Sequence, residues 1–293
     1  STRMVSASPA IRCRQIDEGD VAAVAELLRR GFPNRNRRFW QRALNALARR
    51  EPPPGLPKYG YLLESASMPV GAILMICSAM RTGDTLAPRC NLSSWYVESA
   101  FRTYAPLLVS QALRHKEVTY TNVSAAPHTW PIIEAQGFSR YSEGIFVCLP
   151  ALQRVPGGEK VQVMAADASP AIAVDAFERD ILLQHAEHGC ISLWAVSGGS
   201  AFPFVFRPRL VKGFVPCAQL IYCRDLADFT RFAAPIGRYL ALRGRAVAIV
   251  DANGPIPGLI GIFRSGSKPK YFKGPQRPRL GDLAYTEYAI MGV

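Results

Sequence analysis

One stretch, Arg89 to Pro127, constrains the fold more than any other part of the sequence. An apolar run from Cys90 to Val97 ends at Glu98-Ser99, apolar residues at helical spacing follow from Leu107, and a strand-like run covers 118–123. The apolar period changes from two to about 3.6 and back, which indicates a strand–turn–helix–strand unit. Such turns bind anions because backbone N–H groups and the helix dipole meet there.

Strand and helix patterns surround this unit on both sides and predict a chain of mixed class. The first half predicts strands or hairpins at 10–16, 60–76 and 138–149 and helices ending near Gly31, Arg50 and Gln136. The second half predicts strands at 161–164, 190–196, 202–206, 215–223 and 246–250, helices at 172–187 and 226–242, a short helix or strand at 258–263, a Gly/Pro/Lys-rich loop at 265–281 and a closing strand at 283–291.

The two halves share an order of elements, which indicates an internal repeat. Gly60 before the first hairpin corresponds to Gly189 at an offset of 129, and Pro127 after the central unit corresponds to Pro255 at an offset of 128. Two anchors at nearly one offset favour duplication. We therefore expect a tail at 1–9, a first copy at 10–152, a linker at 153–160 and a second copy at 161–293 that lacks the Arg-rich second helix.

Composition limits the class of protein and its partners. With 293 residues, 49% of them hydrophobic and 19% charged, the chain is long enough for two globular domains. The formal net charge of +13 is spread over both halves and suits an anionic partner without identifying one. Seven cysteines without a C-x-x-C pair argue for a reducing compartment and against a disulfide framework or a zinc site. No secretory or membrane-spanning segment is evident, so we expect a cytoplasmic protein.

The order of elements resembles the GCN5-related N-acetyltransferase superfamily of acyl-CoA N-acyltransferases. The pieces that carry the resemblance are Trp95-Tyr96-Val97, Phe101-Arg102, the helix after them, the strand at 118–123 and the segment Glu134 to Phe138. The resemblance implies an α+β fold, with a mixed, mostly antiparallel sheet flanked by helices, here in two tandem copies. It also implies that the arm of an acyl-CoA enters beside the strand and that its pyrophosphate lies on the turn.

The turn departs from the pattern of that superfamily in two respects. Its usual glycines are absent from Arg102 to Leu107, and Pro106 removes one N–H donor. The helix-borne tyrosine that often serves as the general acid falls on Ile133, and the usual asparagine falls near Ala126. These departures predict an altered pyrophosphate site and a different acid.

Several side chains are candidates for the site. Glu98, at the end of the strand, could be a general base or a cap of the next turn, and Tyr96 and Tyr141 could protonate the thiolate or be strand aromatics. Arg38 and His128 are candidates for substrate binding, with a solvated helix face and a helix start as the alternatives. No metal site is expected, because His185 and His188 lack a third ligand. The candidates for contact with acyl-CoA are Tyr96, Val97, Arg102, Thr103, Tyr104, Ala105 and Leu107.

These observations favour transfer of an acyl group from acetyl-CoA or another acyl-CoA to a small amine by direct attack. Two alternatives stay open. Fem-type transferases also have two such domains, and their aminoacyl-tRNA donor would suit the +13 charge. A catalytically degenerate protein that binds acyl-CoA or another ligand would suit the missing glycines and the missing tyrosine. The identity of the acceptor and the oligomeric state do not follow from the sequence.

Overall fold

The computed structural model describes residues 10–153, 158–168 and 170–292. The chain divides into two compact units, the first ending at Tyr120 and the second beginning at Thr121. The predicted tail at 1–9 and four residues of the predicted linker, 154–157, lie outside the described residues. No helix within the described residues is both long and apolar enough to span a membrane.

The first unit contains an antiparallel sheet in the order β1-β2-β3-β4, with helices packed on it. Helix α1 buries Val24, Leu27 and Leu28, whose spacing forms one apolar stripe. The side chain of Asn36 accepts a hydrogen bond from the Phe39 N–H and starts α2. The elements are β1 (Ile11–Gln15), α1 (Val21–Gly31), α2 (Arg37–Ala48), β2 (Gly60–Ser65), β3 (Met68–Thr82), β4 (Thr85–Val97), a 3₁₀ helix (Ser99–Tyr104), α3 (Ala105–Ala112) and β5 (Thr119–Asn122), which crosses the boundary between the units.

Among its described residues, the second unit contains strands in the order β12-β6-β11-β10-β9-β8-β7. Strands β10 and β11 are parallel, whereas β10 with β9, β6 with β11 and β12, and β8 with β7 and β9 pair antiparallel. Phe204, Phe206, Phe229 and Phe232 form the centre of its core. The elements are α4 (Trp130–Ala135), β6 (Ser139–Cys148), β7 (Gln162–Ala165), α5 (Ala176–Glu187), β8 (Ile191–Ser197), β9 (Ser200–Val211), β10 (Val215–Cys223), α6 (Leu226–Ala241), β11 (Val247–Ala252), β12 (Gly261–Lys273) and α7 (Glu287–Ile290).

The order of elements in the first copy recurs in the second. In chain order, the first copy consists of β1, the helices α1 and α2, the strands β2 to β4, helix α3 and β5. The second copy consists, in the same order, of β7, helix α5, the strands β8 to β10, helix α6 and β11. A single helix, α5, stands between β7 and β8 in the described part of the second copy, where the first copy has α1 and α2. The predicted α+β fold in two tandem copies is confirmed.

Strand β6 belongs by sequence to the first copy but lies between two strands of the second. It pairs antiparallel with β11 on one side, where Phe146 faces Val250, and with β12 on the other, where Phe146 faces Phe263. The division into compact units therefore falls earlier in the chain than the end of the first copy. The boundary of the repeat at 153–160 stays a prediction.

Two predictions for the last thirty residues are wrong. The segment predicted as a loop from residue 265 continues β12 to Lys273, because Tyr271 and Lys270 pack into the unit and are buried. The segment predicted as a closing strand at 283–291 forms a turn and the short helix α7, whose residues Glu287 to Ile290 are all buried.

The sequence argued against a disulfide framework and did not predict the one disulfide found among the described residues. Cys77 on β3 and Cys90 on β4 form a disulfide, and their Cα atoms lie 4.1 Å apart. The two residues face each other directly in the register of the hairpin. Cys13, Cys148, Cys190, Cys217 and Cys223 are free.

Candidate active site at the end of the fourth strand

Strand β4 carries a β-bulge shortly before the predicted site. Leu74 on β3 faces Ser93 and Ala72 faces Tyr96, so that Ser94 and Trp95 together oppose one residue of β3. Ser94 has a positive φ of 53°, which is unusual for serine. A bulge takes residues out of the regular ladder and turns the strand. The bulged stretch, residues 94–96, is half-exposed between buried neighbours.

Tyr96 is held at this point by the end of α1. Gly31 packs so closely on the Tyr96 ring that a Cβ atom at this position would overlap it. The Phe32 ring lies 6.3 Å from the Tyr96 ring in an edge-on arrangement. The glycine at the end of α1 therefore makes room for the aromatic ring, and Tyr96 is fixed beside the bulge.

Glu98 follows the strand directly and forms an ion pair with α1. One carboxylate oxygen lies 2.6 Å from Nη2 of Arg30, and the Glu98 side chain is 28% exposed. The backbone N–H of Glu98 donates to the carbonyl of Val70 at 2.8 Å. The carboxylate is thus oriented, remains accessible to solvent, and has a cation beside it.

The turn after Glu98 is a 3₁₀ helix that runs without a break into α3. The N–H of Phe101 donates to the Glu98 carbonyl, and the N–H of Ala105 donates to the Arg102 carbonyl at the start of α3. Pro106 has no N–H. The backbone of this turn is therefore occupied where the superfamily resemblance implies a pyrophosphate cradle. Arg102, Thr103, Tyr104 and Leu107 are exposed, whereas Val97 is buried.

The other predicted residues lie elsewhere. Arg38 is exposed in the first turn of α2. His128 lies in a 3₁₀ turn of the second unit, Pro127–Thr129, and is exposed. Tyr141 lies on β6, is buried, and packs edge-on against Phe272 with their ring centres 6.2 Å apart. The structure brings together Tyr96, Glu98 and the turn with Arg102.

Arg30, Gly31 and Phe32 are site residues that the sequence analysis did not identify. Gly31 was predicted only as the end of a helix. Arg30 and Glu98 are 68 residues apart, and no local spacing connects them. Within the described residues, no group of three or more His, Cys, Asp or Glu side chains is arranged to hold a metal ion.

The second copy has a bulge at the corresponding place in its fourth strand. The register of β10 against β9 shifts between Leu220 and Tyr222, and β10 pairs with the parallel β11 only over Cys217–Gln219. Beyond that point the C-terminal part of the chain takes up the edge of β10. The Leu283 N–H donates to the Ile221 carbonyl at 2.6 Å, and the Cys223 N–H donates to the Gly281 carbonyl at 2.9 Å.

The turn after β10 is closed by side chains as well. Arg224 forms two hydrogen bonds of 2.7 Å with the carboxylate of Glu178 on α5, which is 5% exposed. It also donates to the Ala201 carbonyl at 3.1 Å. Asp225 accepts from the Ala227 N–H and caps α6. The edge and the turn that are accessible in the first copy are thus used for internal contacts in the second.

Comparison with known proteins gives the fold. No protein-family model and no curated protein matches the sequence. Among solved structures, a GCN5-related N-acetyltransferase from Anabaena variabilis aligns with a TM-score of 0.59 and 8% identity over 90% of this chain and 72% of that one. One from Kribbella flavida aligns with a TM-score of 0.58 and 13% identity over 90% and 71%.

A third structure matches over nearly the full length of both chains. It is an acetyltransferase candidate from Pyrococcus horikoshii, with a TM-score of 0.57, 15% identity, and coverage of 96% of this chain and 95% of that one. The chain therefore has the fold of GCN5-related N-acetyltransferases. It has that fold in two copies, of which the first keeps an accessible fourth-strand bulge.

Proposed function

We propose that the protein is an acyl-CoA-dependent N-acyltransferase and that its first copy binds the donor. The observation that carries this proposal is the contrast between the two bulges. The first is half-exposed and is followed by an accessible carboxylate, while the second is covered by the chain itself. Proteins with the same fold can have different functions, so the proposal depends on the residues of the site and not on the fold alone.

The bulge in β4 suits the amide-containing arm of acetyl-CoA or another acyl-CoA. An extended ligand of this kind can pair with strand backbone as an added strand does. The phosphates would be held differently from the usual manner, because the amide of Ala105 is already bonded and Pro106 has none. Arg102 would supply a guanidinium for them, with Thr103 and Tyr104 beside it. Val97, Ala105 and Leu107 would form the apolar floor of this site.

The proposed reaction is direct attack of an amine on the thioester. The amine nitrogen forms a bond to the acyl carbon, the carbon–sulfur bond breaks, and the amine proton passes to the Glu98 carboxylate, directly or through water. Arg30 would orient that carboxylate. Tyr96 would return a proton to the departing thiolate, since Tyr141 is buried against Phe272 in the second unit. The step draws on no metal, and most of the rate would come from positioning.

The acceptor would be a small amine, with Arg38, an exposed residue of the same unit as Glu98, as a candidate contact for it. Acyl-CoA from the cytoplasm would supply the donor, in keeping with the location expected from the sequence. The occupied backbone of the turn gives specific support to a second candidate, a catalytically degenerate protein that binds acyl-CoA without turning it over. An aminoacyl-tRNA donor is less favoured and rests on the net charge of +13.

Calorimetry with acetyl-CoA tests donor binding. We expect one molecule bound per chain and a loss of about 3- to 10-fold in affinity for Arg102→Ala, from one charge-assisted contact of about 1 kcal/mol. Arg238→Ala, which removes an exposed arginine from the second copy's helix α6, is the matched control and should bind normally. Failure of the wild type to bind any acyl-CoA would contradict the proposal, and salt-sensitive binding of tRNA instead would favour the aminoacyl-tRNA donor.

Release of the CoA thiol in the presence of a panel of amines tests turnover. Glu98→Gln should reduce kcat by about 10²- to 10⁴-fold if Glu98 is the general base. Glu51→Gln, at a side chain that is 91% exposed, is the control and should keep full activity. Binding of acyl-CoA with no turnover of any amine would support the degenerate protein.

A further inference from the structure

A cavity of about 290 Å³ lies in the second unit, between helix α5, the segment that leads into it from β7, and strand β8. Trp194 lines it from β8 and Leu183 from α5, while Ile172 and Val174 line it from the connecting segment. Trp194 is 1% exposed, and the other three are half-buried. Ligand pockets in proteins have volumes of about 300 Å³ and more, so this cavity suits a small molecule.

The cavity lies on the face of the second unit's sheet that is turned away from α6. Leu193 and Ala195, on either side of Trp194, belong to the core that includes the buried residues of α6. Because successive side chains of a strand point to opposite faces, Trp194 points to the other face, where α5 packs. The residues that line the cavity all belong to the second unit, so the site takes in nothing from the first.

Two charged side chains of opposite sign also line the cavity. Asp167 lies in the turn after β7, and Arg179 lies on α5, one helical turn before Leu183 and on the same face. Both residues are exposed. Over the described parts of the chain, neither side chain forms a hydrogen bond or an ion pair, with the other or with any other residue. The carboxylate of Glu178, next to Arg179 in sequence, is bound by Arg224. The cavity thus offers a ligand both a cation and an anion.

We propose that this cavity binds a free α-amino acid with an apolar side chain. The carboxylate of the ligand pairs with the Arg179 guanidinium, whose planar fork of N–H donors matches a carboxylate. The ammonium of the ligand pairs with the Asp167 carboxylate. The apolar side chain lies against the Trp194 indole, where it is removed from water. A ligand with a single charge would leave one of the two charged side chains unpaired, so the zwitterion fits best. This site is additional to the proposed acyl transfer and uses none of its residues.

Calorimetric titration of the full chain with L-phenylalanine and L-leucine tests the site. We expect saturable binding of one molecule per chain. Phenethylamine lacks the carboxylate of L-phenylalanine, and 3-phenylpropionate lacks its ammonium. Each should bind at least about 10-fold more weakly than the amino acid, since each loses one charge-assisted contact. The proposal is overturned if neither amino acid binds, or if L-phenylalanine and its two analogues bind equally well.

Variants at the two exposed charges assign each contact. Arg179→Gln should weaken the binding of L-phenylalanine and 3-phenylpropionate by at least about 10-fold and leave that of phenethylamine unchanged. Asp167→Asn should weaken the binding of L-phenylalanine and phenethylamine and leave that of 3-phenylpropionate unchanged. Arg238→Gln and Asp180→Asn remove the same charges from exposed positions outside the cavity and should bind as the wild type does. Equal losses in the cavity variants and in these controls would reflect net charge alone and overturn the proposal.

Tryptophan fluorescence locates the ligand. L-phenylalanine should change the emission of the wild type, and Trp194→Phe should abolish that change while binding is retained. Leu183→Phe, at a half-buried position, fills part of the cavity and should weaken binding. A fluorescence change that persists in Trp194→Phe, or full affinity in Leu183→Phe, would place the ligand elsewhere and overturn the proposal.

None of these measurements uses acyl-CoA, and none of the variants lies in the first unit. A failure of the donor to bind would therefore leave the amino-acid site standing. A failure of the amino acids to bind would leave the proposed acyl transfer untouched.

Discussion

The fourth strands of the two copies have a bulge at the same place and then end in residues of opposite charge. In the first copy Glu98 pairs with Arg30 on α1, and both side chains stay accessible. In the second copy Arg224 pairs with Glu178 on α5, whose carboxylate is buried. The same connection between strand end and first helix is thus made twice, with the charges exchanged and the burial changed.

The two copies also differ in how they use the edge of the fourth strand and the turn after it. The second copy uses its strand edge and its turn for internal hydrogen bonds, through the backbone of Gly281 and Leu283 and through Arg224. These contacts stabilise the fold but leave no accessible edge at the bulge. The first copy leaves residues 94–96 half-exposed and keeps a carboxylate at the surface. The copy that makes fewer internal contacts at its strand edge is the one that we propose binds the donor.

The largest expected effect concerns a position at which the copies differ in polarity. Asp251 in the second copy corresponds to Val123 in the first, at the offset of 128 set by the two prolines. Lys270→Met would leave the buried Asp251 carboxylate without its cation and should cost about 3–5 kcal/mol in the free energy of unfolding. Urea unfolding measures the loss.

A double variant sharpens this test. Asp251→Val/Lys270→Met gives the second copy the apolar residue of the first and should recover most of the stability, since an apolar pair can replace a buried ion pair. Lys273→Met, on an exposed side chain of the same strand, is the control and should have little effect. If the single and the double variant lose the same free energy of unfolding, an apolar pair cannot replace the ion pair of Asp251 and Lys270, and the prediction is contradicted.

The next effect compares the two strand-end ion pairs directly. Arg224→Met leaves the buried Glu178 carboxylate unpaired and should lower the free energy of unfolding by about 2–3 kcal/mol, less than a fully buried pair because Arg224 is 43% exposed. Arg30→Met breaks a pair that solvent screens and should cost less than about 1 kcal/mol. Equal losses in chemical denaturation would contradict the assignment of a structural role to one pair and a functional role to the other.

The smallest expected effect concerns acid stability near the first strand of each copy. Arg14 donates two hydrogen bonds to Asp20 in the first copy and holds the pKa of that carboxyl below its usual value of 3.8. Because the folded-state pKa is lowered, the contribution to stability is present above that usual value and is lost as the pH falls through the lowered pKa. Asp20→Asn should therefore remove about 1 kcal/mol at neutral pH and flatten the acid limb of the stability curve.

Glu159 provides the comparison in the second copy. Arg231 and Ser197 lower the pKa of its carboxyl too, but its side chain is 35% exposed, against 13% for Asp20. Glu159→Gln should therefore leave the acid limb of thermal unfolding close to that of the wild type, because solvent and salt screen the pair. A flattening as large as that of Asp20→Asn would show that burial does not distinguish the two pairs.

The regular elements and the repeat could be predicted because local pattern determines them. The stripe of Val24, Leu27 and Leu28 matches the helical period, and all three residues are buried. The alternation of residues 11–15 matches the period of a strand, and burial follows it over the first three residues. The strand end at Glu98 was also predictable, since the apolar run stops there. The likeness in order between the two halves was enough to expect duplication without appreciable identity.

The ends of the second copy could not be predicted, because tertiary contacts override their local pattern. Gly266 and Pro269 favour a loop, yet β12 continues past them, because it pairs with β6 on both sides of this irregular stretch and Tyr271 is buried. The apolar residues at 283–291 fit a strand as well as a helix. Only their packing against the unit selects α7.

Some contacts between side chains could be predicted from the sequence and others could not. The ion-pair partner of Glu98 could not, because Arg30 is 68 residues away and only the fold brings α1 close to the end of β4. The disulfide was within reach, since Cys77 and Cys90 lie equally far from the two-residue turn at Gly83-Asp84 that joins β3 and β4. Register from a tight turn is a stronger signal for cysteine pairing than the count of cysteines.

The position of β6 bears on how the chain matures during synthesis. This strand is made before residue 150, but its two neighbours, β11 and β12, are made only near the end. Until then both of its edges await partners that lie about a hundred residues downstream, and such long-range pairing is slow and prone to aggregation. Both edges of β6 therefore stay without their strand partners until β11 and β12 have been made, and a cut between the copies would separate β6 from both of them.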